Sequence, residues 1–207
     1  MIHAISRSML IGMSLLALLA CVNINPSGSP QTRYYLLRPM PLSSTSTPPA
    51  GLRNQSLAVG PVSVATYLKR PQLVTRLTAN EIHADEFAHW AEPLSDGIAR
   101  VIQENLCALT SANRVGTYAT RLSATADLQI SVDLLRFEAD SAGDVTLRAA
   151  WRIIQPAAQQ VLIEERSTCV QASVGEDPPA VVETMSIALA TLTRLIAEAL
   201  VEIAQQP

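Results

Sequence analysis

The sequence runs to 207 residues, 48% apolar and 16% charged, the profile of a globular chain rather than a disordered one. Its net charge is -3 and Lys and Arg never cluster, which excludes the basic footprint of a nucleic-acid binder. With three Cys and three His in the whole chain, metal ligands and nucleophiles are in short supply.

Residues 1–20 read as a leader. Arg7, with His3, gives a weakly basic start, and an apolar run follows from Met9 to Ala20. That run is too short to span a bilayer and has the length of a signal-peptide core. Leu18 is too bulky for the small-x-small site of ordinary secretory cleavage. Leu18-Leu19-Ala20-Cys21 instead resembles the lipobox of bacterial lipoproteins, which makes Cys21 the expected lipidation site. Each buried methylene of an attached chain contributes about 0.8 kcal/mol, so two or more chains hold a protein firmly on a membrane. Val22 in place of Asp resembles the pattern sorted to the outer membrane.

Residues 21–32, with Pro26, Gly28 and Pro30, have little to bury and read as a flexible tether. Residues 33–207 are expected to fold as a single periplasmic domain. Arg33 to Leu37 is a short strand, 39–51 a Pro/Ser/Thr-rich loop, and 56–64 a second strand that Gly60-Pro61 ends or bulges. Residues 72–77 and 82–87 predict a hairpin turning at Ala79-Asn80. Proline suits a first helical position, so Pro93 is expected there, with Asp96 in the first turn at the positive end of the helix dipole. Leu94, Ile98, Val101, Ile102, Leu106 and Leu109 then form one apolar stripe. Gly97 weakens that helix by about 1 kcal/mol relative to Ala, so packing must hold it.

From Arg114 the period becomes two. A short strand at 115–118 precedes alternating segments at 128–134 and 145–153 and a third extended segment at 161–170. Short links between these three require an antiparallel meander. Asp177-Pro178-Pro179 opens a last helix whose stripe runs Val182, Met185, Leu189, Leu192, Ile196, Ala199, Ile203. Arg194 and Glu198 argue against a membrane span, because a central charge costs about 2.5–3.5 kcal/mol on insertion scales. The fold class expected is α/β, a mixed and partly antiparallel sheet with two main helices packed on it. The alternative is α+β.

Residues that could carry chemistry are few. His83-Ala84-Asp85-Glu86-Phe87-Ala88-His89 is the one metal-like cluster; on a strand, residues 83, 85 and 89 would share a face. It lacks the i, i+4 histidine spacing of zinc hydrolases, and the favoured reading is a solvated polar turn before Trp90. No nucleophile elbow, dinucleotide fingerprint or phosphate-binding loop is present. No catalytic, metal or cofactor site is therefore assigned. Cys107 and Cys169 could pair in an oxidising compartment, but Cys107 points away from the apolar stripe, which favours two free thiols.

Four strings occur in order downstream of the lipobox: Tyr34-Tyr35-Leu36-Leu37, Val59-Gly60-Pro61-Val62, Tyr67-Leu68-Lys69-Arg70-Pro71-Gln72 and Trp90-Ala91-Glu92-Pro93-Leu94. Together they resemble the ABC-type transport auxiliary lipoproteins, which include the paraquat-inducible protein C (PqiC-like) group. Lys69 departs from that pattern, where an acidic residue is more usual, as does Ala65-Thr66, where a proline is common. The resemblance implies a non-enzymatic lipoprotein without cofactor, anchored on the periplasmic face of the outer membrane. It would be the docking component of an Mce-type intermembrane lipid transport system, beside an Mce-domain (PqiB-like) partner, and it allows a homo-oligomer. Tyr67, Arg70, Pro71, Trp90, Glu92 and Pro93 would then be partner contacts or structural anchors, with Trp90 and Tyr67 favoured as core. The alternative function is a periplasmic lipid carrier that holds an acyl chain in its own cavity.

Overall fold

A computed structural model describes residues 30–41, 52–110, 112, 114–118, 125–173 and 175–205. The chain divides into two compact units, Met1–Gln31 and Thr32–Pro207. The expected leader, Cys21 and nearly all of the tether lie outside the described residues.

Within the second unit, one mixed sheet of eight strands carries two helices. The strands are β1 (Arg33–Tyr35), β2 (Ser56–Val64), β3 (Gln72–Arg76), β4 (Ile82–Trp90), β5 (Arg114–Thr117), β6 (Leu128–Asp140), β7 (Val145–Gln155) and β8 (Gln160–Gln171). The helices are α1 (Leu94–Leu109) and α2 (Pro178–Gln205). The mixed α/β class expected from the sequence is the one observed.

β6 is the spine. The links after Asp140 and Gln155 are too short for a crossover, so β7 folds back antiparallel on β6 and β8 on β7. Along its other edge, β6 pairs in parallel with β2 over Leu128–Leu134 and with β3 at Ala139 and Asp140. Between β2 and β3 the chain leaves that edge in a 3-10 turn, Thr66–Leu68, after Ala65 N–H has donated to the Leu134 carbonyl at 2.9 Å. β5 adds in parallel to β2, and β4 pairs antiparallel with β3 and parallel with β1.

α1 lies on β2 and β5, α2 on β6, β7 and β8, and the helices touch each other. The core is the apolar face between these layers. Ile130, Val132 and Leu134 of β6 stand beside Ile153, Trp151 and Ala149 of β7 and meet the Met185, Leu189, Leu192 and Ile196 stripe of α2. Trp151 and Phe137 are the bulkiest fully buried side chains there. Arg194 and Glu198 are solvent-exposed. No helix among the described residues is long and apolar enough to cross a membrane.

Two bulges keep apolar residues on the core face. In β2, Gly60 and Pro61 together stand opposite the single Ser131, one extra residue, so Leu57 and Val59, then Val62 and Val64, all point inward despite the change of parity. Gly60 sits at φ 122°, and a Cβ there would stand 2.7 Å from Tyr118 Cβ, so only glycine fits. In β6, a shift between Leu134 and Arg136 leaves Leu135 exposed and moves the inward positions to Phe137 and Ala139. Arg136 and Glu138 thereby fall on the sheet face away from the helices.

Two expectations need correction. Pro93 is the N-cap of α1 rather than its first helical residue: its φ and ψ are -52° and 130°, and its carbonyl accepts from Asp96 and Gly97 N–H. Residues 83–89 are no polar turn but belong to β4, which runs on to Trp90. That strand is itself bulged. Between Gln72↔His89 and Val74↔Ala84 the register jumps, and Asp85 Oδ1 accepts the Phe87 and Ala88 N–H groups at 2.7 and 2.8 Å. The bulge breaks the alternation that would have put residues 83, 85 and 89 on one face. No metal-ligating group of three occurs among the described residues.

Candidate functional site

The hairpin β3–β4 brings two distant strings together. Its root pairs Gln72 with His89, and Trp90 N–H donates to the Pro71 carbonyl at 2.6 Å. The segment entering β3, Tyr67 to Pro71, therefore lies against the segment leaving β4, Trp90 to Leu94. Ala91 N–H continues the pairing by donating to Tyr35 O at 2.9 Å, which ties β1 to the same corner.

An open cavity of about 450 Å³ lies between these segments. Its floor is Val64, Leu68, Trp90 and Leu94, all buried, and its rim carries Lys69, Arg70, Pro71, Ala91, Glu92, Pro93 and Ser95. Five of the six motif residues singled out from sequence thus meet at one place: Arg70, Pro71, Trp90, Glu92 and Pro93. Tyr67 does not line it.

Glu92 is engaged internally. Its Oε1 accepts from Arg100 Nη2 at 2.7 Å and Nε at 3.3 Å, and Arg100 Nη2 also donates to Leu37 O at 3.1 Å. The Glu92 hydrogen bond is the main reason the Arg100 pKa is raised. Gly97 makes room for this arrangement, because a Cβ there would stand 2.9 Å from Glu92 Oε1. The helix-weakening glycine is thus the place where a carboxylate crosses the first turn of α1. Lys69 and Arg70 are exposed, and neither has an acidic partner among the described residues.

The 3-10 turn that walls the cavity is fixed from behind. Leu68 points into the floor while Tyr67 points to the far face of the sheet, where its hydroxyl donates to Glu138 Oε2 at 2.7 Å. Glu138 is fully buried, and its carboxylate also accepts from Arg76 Nε at 2.7 Å, Arg136 Nε at 2.8 Å and Phe137 N–H at 3.0 Å. The Arg76 guanidinium carbon lies 5.8 Å from the Tyr67 ring centre. Burial first, and then the Glu138 hydrogen bond, push the Tyr67 pKa up to about 12. Hydrogen bonding to Glu138 likewise raises that of Arg76.

Glu138, Arg76, Arg136 and Arg100 carry this architecture, and sequence reasoning singled out none of them. Unbroken alternation from Leu128 to Leu134 would set Glu138 on the core face, and only the bulge at Leu135 turns it to the other side of the sheet. Its burial comes from Tyr67 and Arg76 folding over it, which no local pattern announces. Trp90 is a buried anchor that also forms cavity floor. The thiols are both free, Cys107 exposed and Cys169 buried, as expected.

A second open cavity, about 480 Å³, lies between 38–41 and α2. It is bridged by the Arg38–Glu183 ion pair and by Arg38 N–H donating to Ser186 Oγ at 3.1 Å.

The class so defined is an α/β domain of one mixed sheet, two helices on one face, and an open apolar-floored cavity at a hairpin root. The chain belongs to the ABC-type transport auxiliary lipoprotein component family, whose signature matches residues 35–197. Protein XCC0632 from Xanthomonas campestris (DUF330) has a similar fold, with 22% identity, a TM-score of 0.68, and coverage of 84% of this chain and 98% of that one. A crystal structure of an uncharacterized protein is similar at 18% identity and a TM-score of 0.68, covering 82% and 99% of the two chains. No curated protein matches.

Proposed function

We propose that this protein is a lipid-anchored, non-enzymatic docking component of an Mce-type, ABC-linked lipid transport system, on the periplasmic face of the outer membrane. Family membership supports the transport role. The lipobox-like Leu18-Leu19-Ala20-Cys21 supports the anchor, and Val22 the outer-membrane address. The observation that carries the reading is the convergence of the 67–71 and 90–94 strings on one open cavity, with Lys69 and Arg70 at its rim and without an acidic partner among the described residues. A surface with a buried floor, fixed walls and exposed cations at its rim is suited to recognition.

Two measurements test it in cells. Palmitate labelling should mark the wild-type chain and not Cys21→Ser, with the label in the outer-membrane fraction. A photo-crosslinking residue at position 70 should capture an Mce-domain protein, and the two should co-purify. An unlabelled, soluble protein that neither crosslinks to nor co-purifies with such a partner would sink the proposal.

A further inference from the structure

We infer that the hairpin-root cavity binds a single alkyl chain bearing an anionic group. The inference deepens the reading above by naming what this site takes. It rests on that reading only in treating the cavity as the working surface.

The volume of about 450 Å³ falls in the lower half of the roughly 300–1,000 Å³ typical of small-ligand sites. That suits one chain and not the two of a phospholipid. The floor is closed by the buried side chains of Leu68, Trp90 and Leu94. Some of the polar groups there are already engaged: Trp90 N–H and Pro71 O satisfy each other, and Glu92 Oε1 is held by Arg100. What remains is apolar surface with two adjacent cations at the mouth, Lys69 and Arg70, in a chain whose net charge is -3. An anionic head offsets both charges while its chain covers the floor.

Intrinsic fluorescence gives the readout, because Trp90 lines the cavity while the chain's other tryptophan, Trp151, is sealed in the core. The Thr32–Pro207 unit, which contains the whole sheet, both helices and their shared core, is purified without detergent. It is titrated below micelle formation with 11-bromoundecanoate, and competed with dodecyl phosphate and with neutral dodecyl maltoside. Expected is saturable quenching that disappears in Trp90→Phe, with affinity rising about fourfold per added methylene. Both anionic amphiphiles should compete, and the neutral one should be at least several-fold weaker. The Lys69→Gln/Arg70→Gln double variant changes only exposed side chains and keeps the fold; it should lose roughly three- to tenfold in affinity. Quenching that is absent, that survives in Trp90→Phe, or that is indifferent to the head group or to the double variant overturns the inference. A chain that captures the Mce-domain partner yet ignores all three amphiphiles overturns this inference alone. Amphiphile binding without partner capture overturns only the docking role.

Discussion

Replacing Glu138 tests whether the wall of the cavity is held from the opposite face of the sheet. Its carboxylate is fully buried and accepts four hydrogen bonds, from Arg76, Arg136, Tyr67 and Phe137 N–H. Removing one partner of a buried ion pair costs about 3–5 kcal/mol. Arg76 and Arg136 keep 21% and 30% of their side chains exposed, so water can take over part of what they lose. Glu138→Ala should therefore fall at the low end, about 3 kcal/mol. Glu138→Gln keeps the shape but sets an amide donor against donors and removes the charge, for about 2 kcal/mol. Urea unfolding should show both as a lower midpoint at unchanged slope. The same variants should lower the Tyr67 midpoint from about 12 only part of the way toward 10, because burial, the larger cause, remains. An alanine variant within about 0.5 kcal/mol of the parent, with Tyr67 titrating as before, would refute the whole account.

Tyr67 also sets an alkaline limit. Its pKa is raised to about 12 in the folded chain from the ordinary phenol value of 10.0, so the unfolded chain releases its proton first. Stability present below pH 10 should decline between pH 10 and 12, and Tyr67→Phe should flatten that decline in pH-dependent melts. Gly60→Ala should cost at least about 2 kcal/mol, since its φ of 122° and the 2.7 Å approach to Tyr118 Cβ leave no side chain a place; chemical denaturation reads this directly. Gly97→Ala should change stability by less than about 1 kcal/mol, because the helix gain is offset by displacing Glu92. In a Glu92→Ala background the same change should stabilise, and a double-mutant cycle separates the two effects. In the native protein a maleimide should modify Cys107 and spare Cys169, with no mass change on reduction; burial raises both thiol pKa values, so labelling should be slow at neutral pH.

The elements are legible in the sequence wherever apolar period and turn chemistry agree. The β6–β7–β8 meander follows from alternation plus links too short to cross over, and α2 from an unbroken three-and-four stripe. Boundaries slip where a bulge or cap intervenes. β4 runs three residues past its predicted end because Asp85 satisfies the bulge from its own side chain, which disguises a strand as a polar turn. Pro93 reads one position too deep because proline favours the first helical position, whereas here its ψ of 130° holds it just outside the helix as the N-cap. The cavity's lining is visible as strings of residues, but not as a cavity. Its assembly depends on hairpin register and on the Glu138 cluster, which is set by contacts between residues far apart in the chain, such as Tyr67 with Glu138.

The position of the cavity at the hairpin's root separates two freedoms that most binding loops confound. The tip, from Leu77 to Glu81, lies at the opposite end of both arms and is solvent-exposed. Relatives could lengthen, shorten or recharge that tip beyond Ala79, whose carbonyl Arg76 holds at 3.1 Å, tuning a second contact with the surroundings while the pocket's lining stays in place. Insertions at the base, by contrast, would pull Trp90 away from Pro71 and dissolve the recess itself. Selection acting on this fold can therefore remodel reach and recognition independently, along one ribbon of chain.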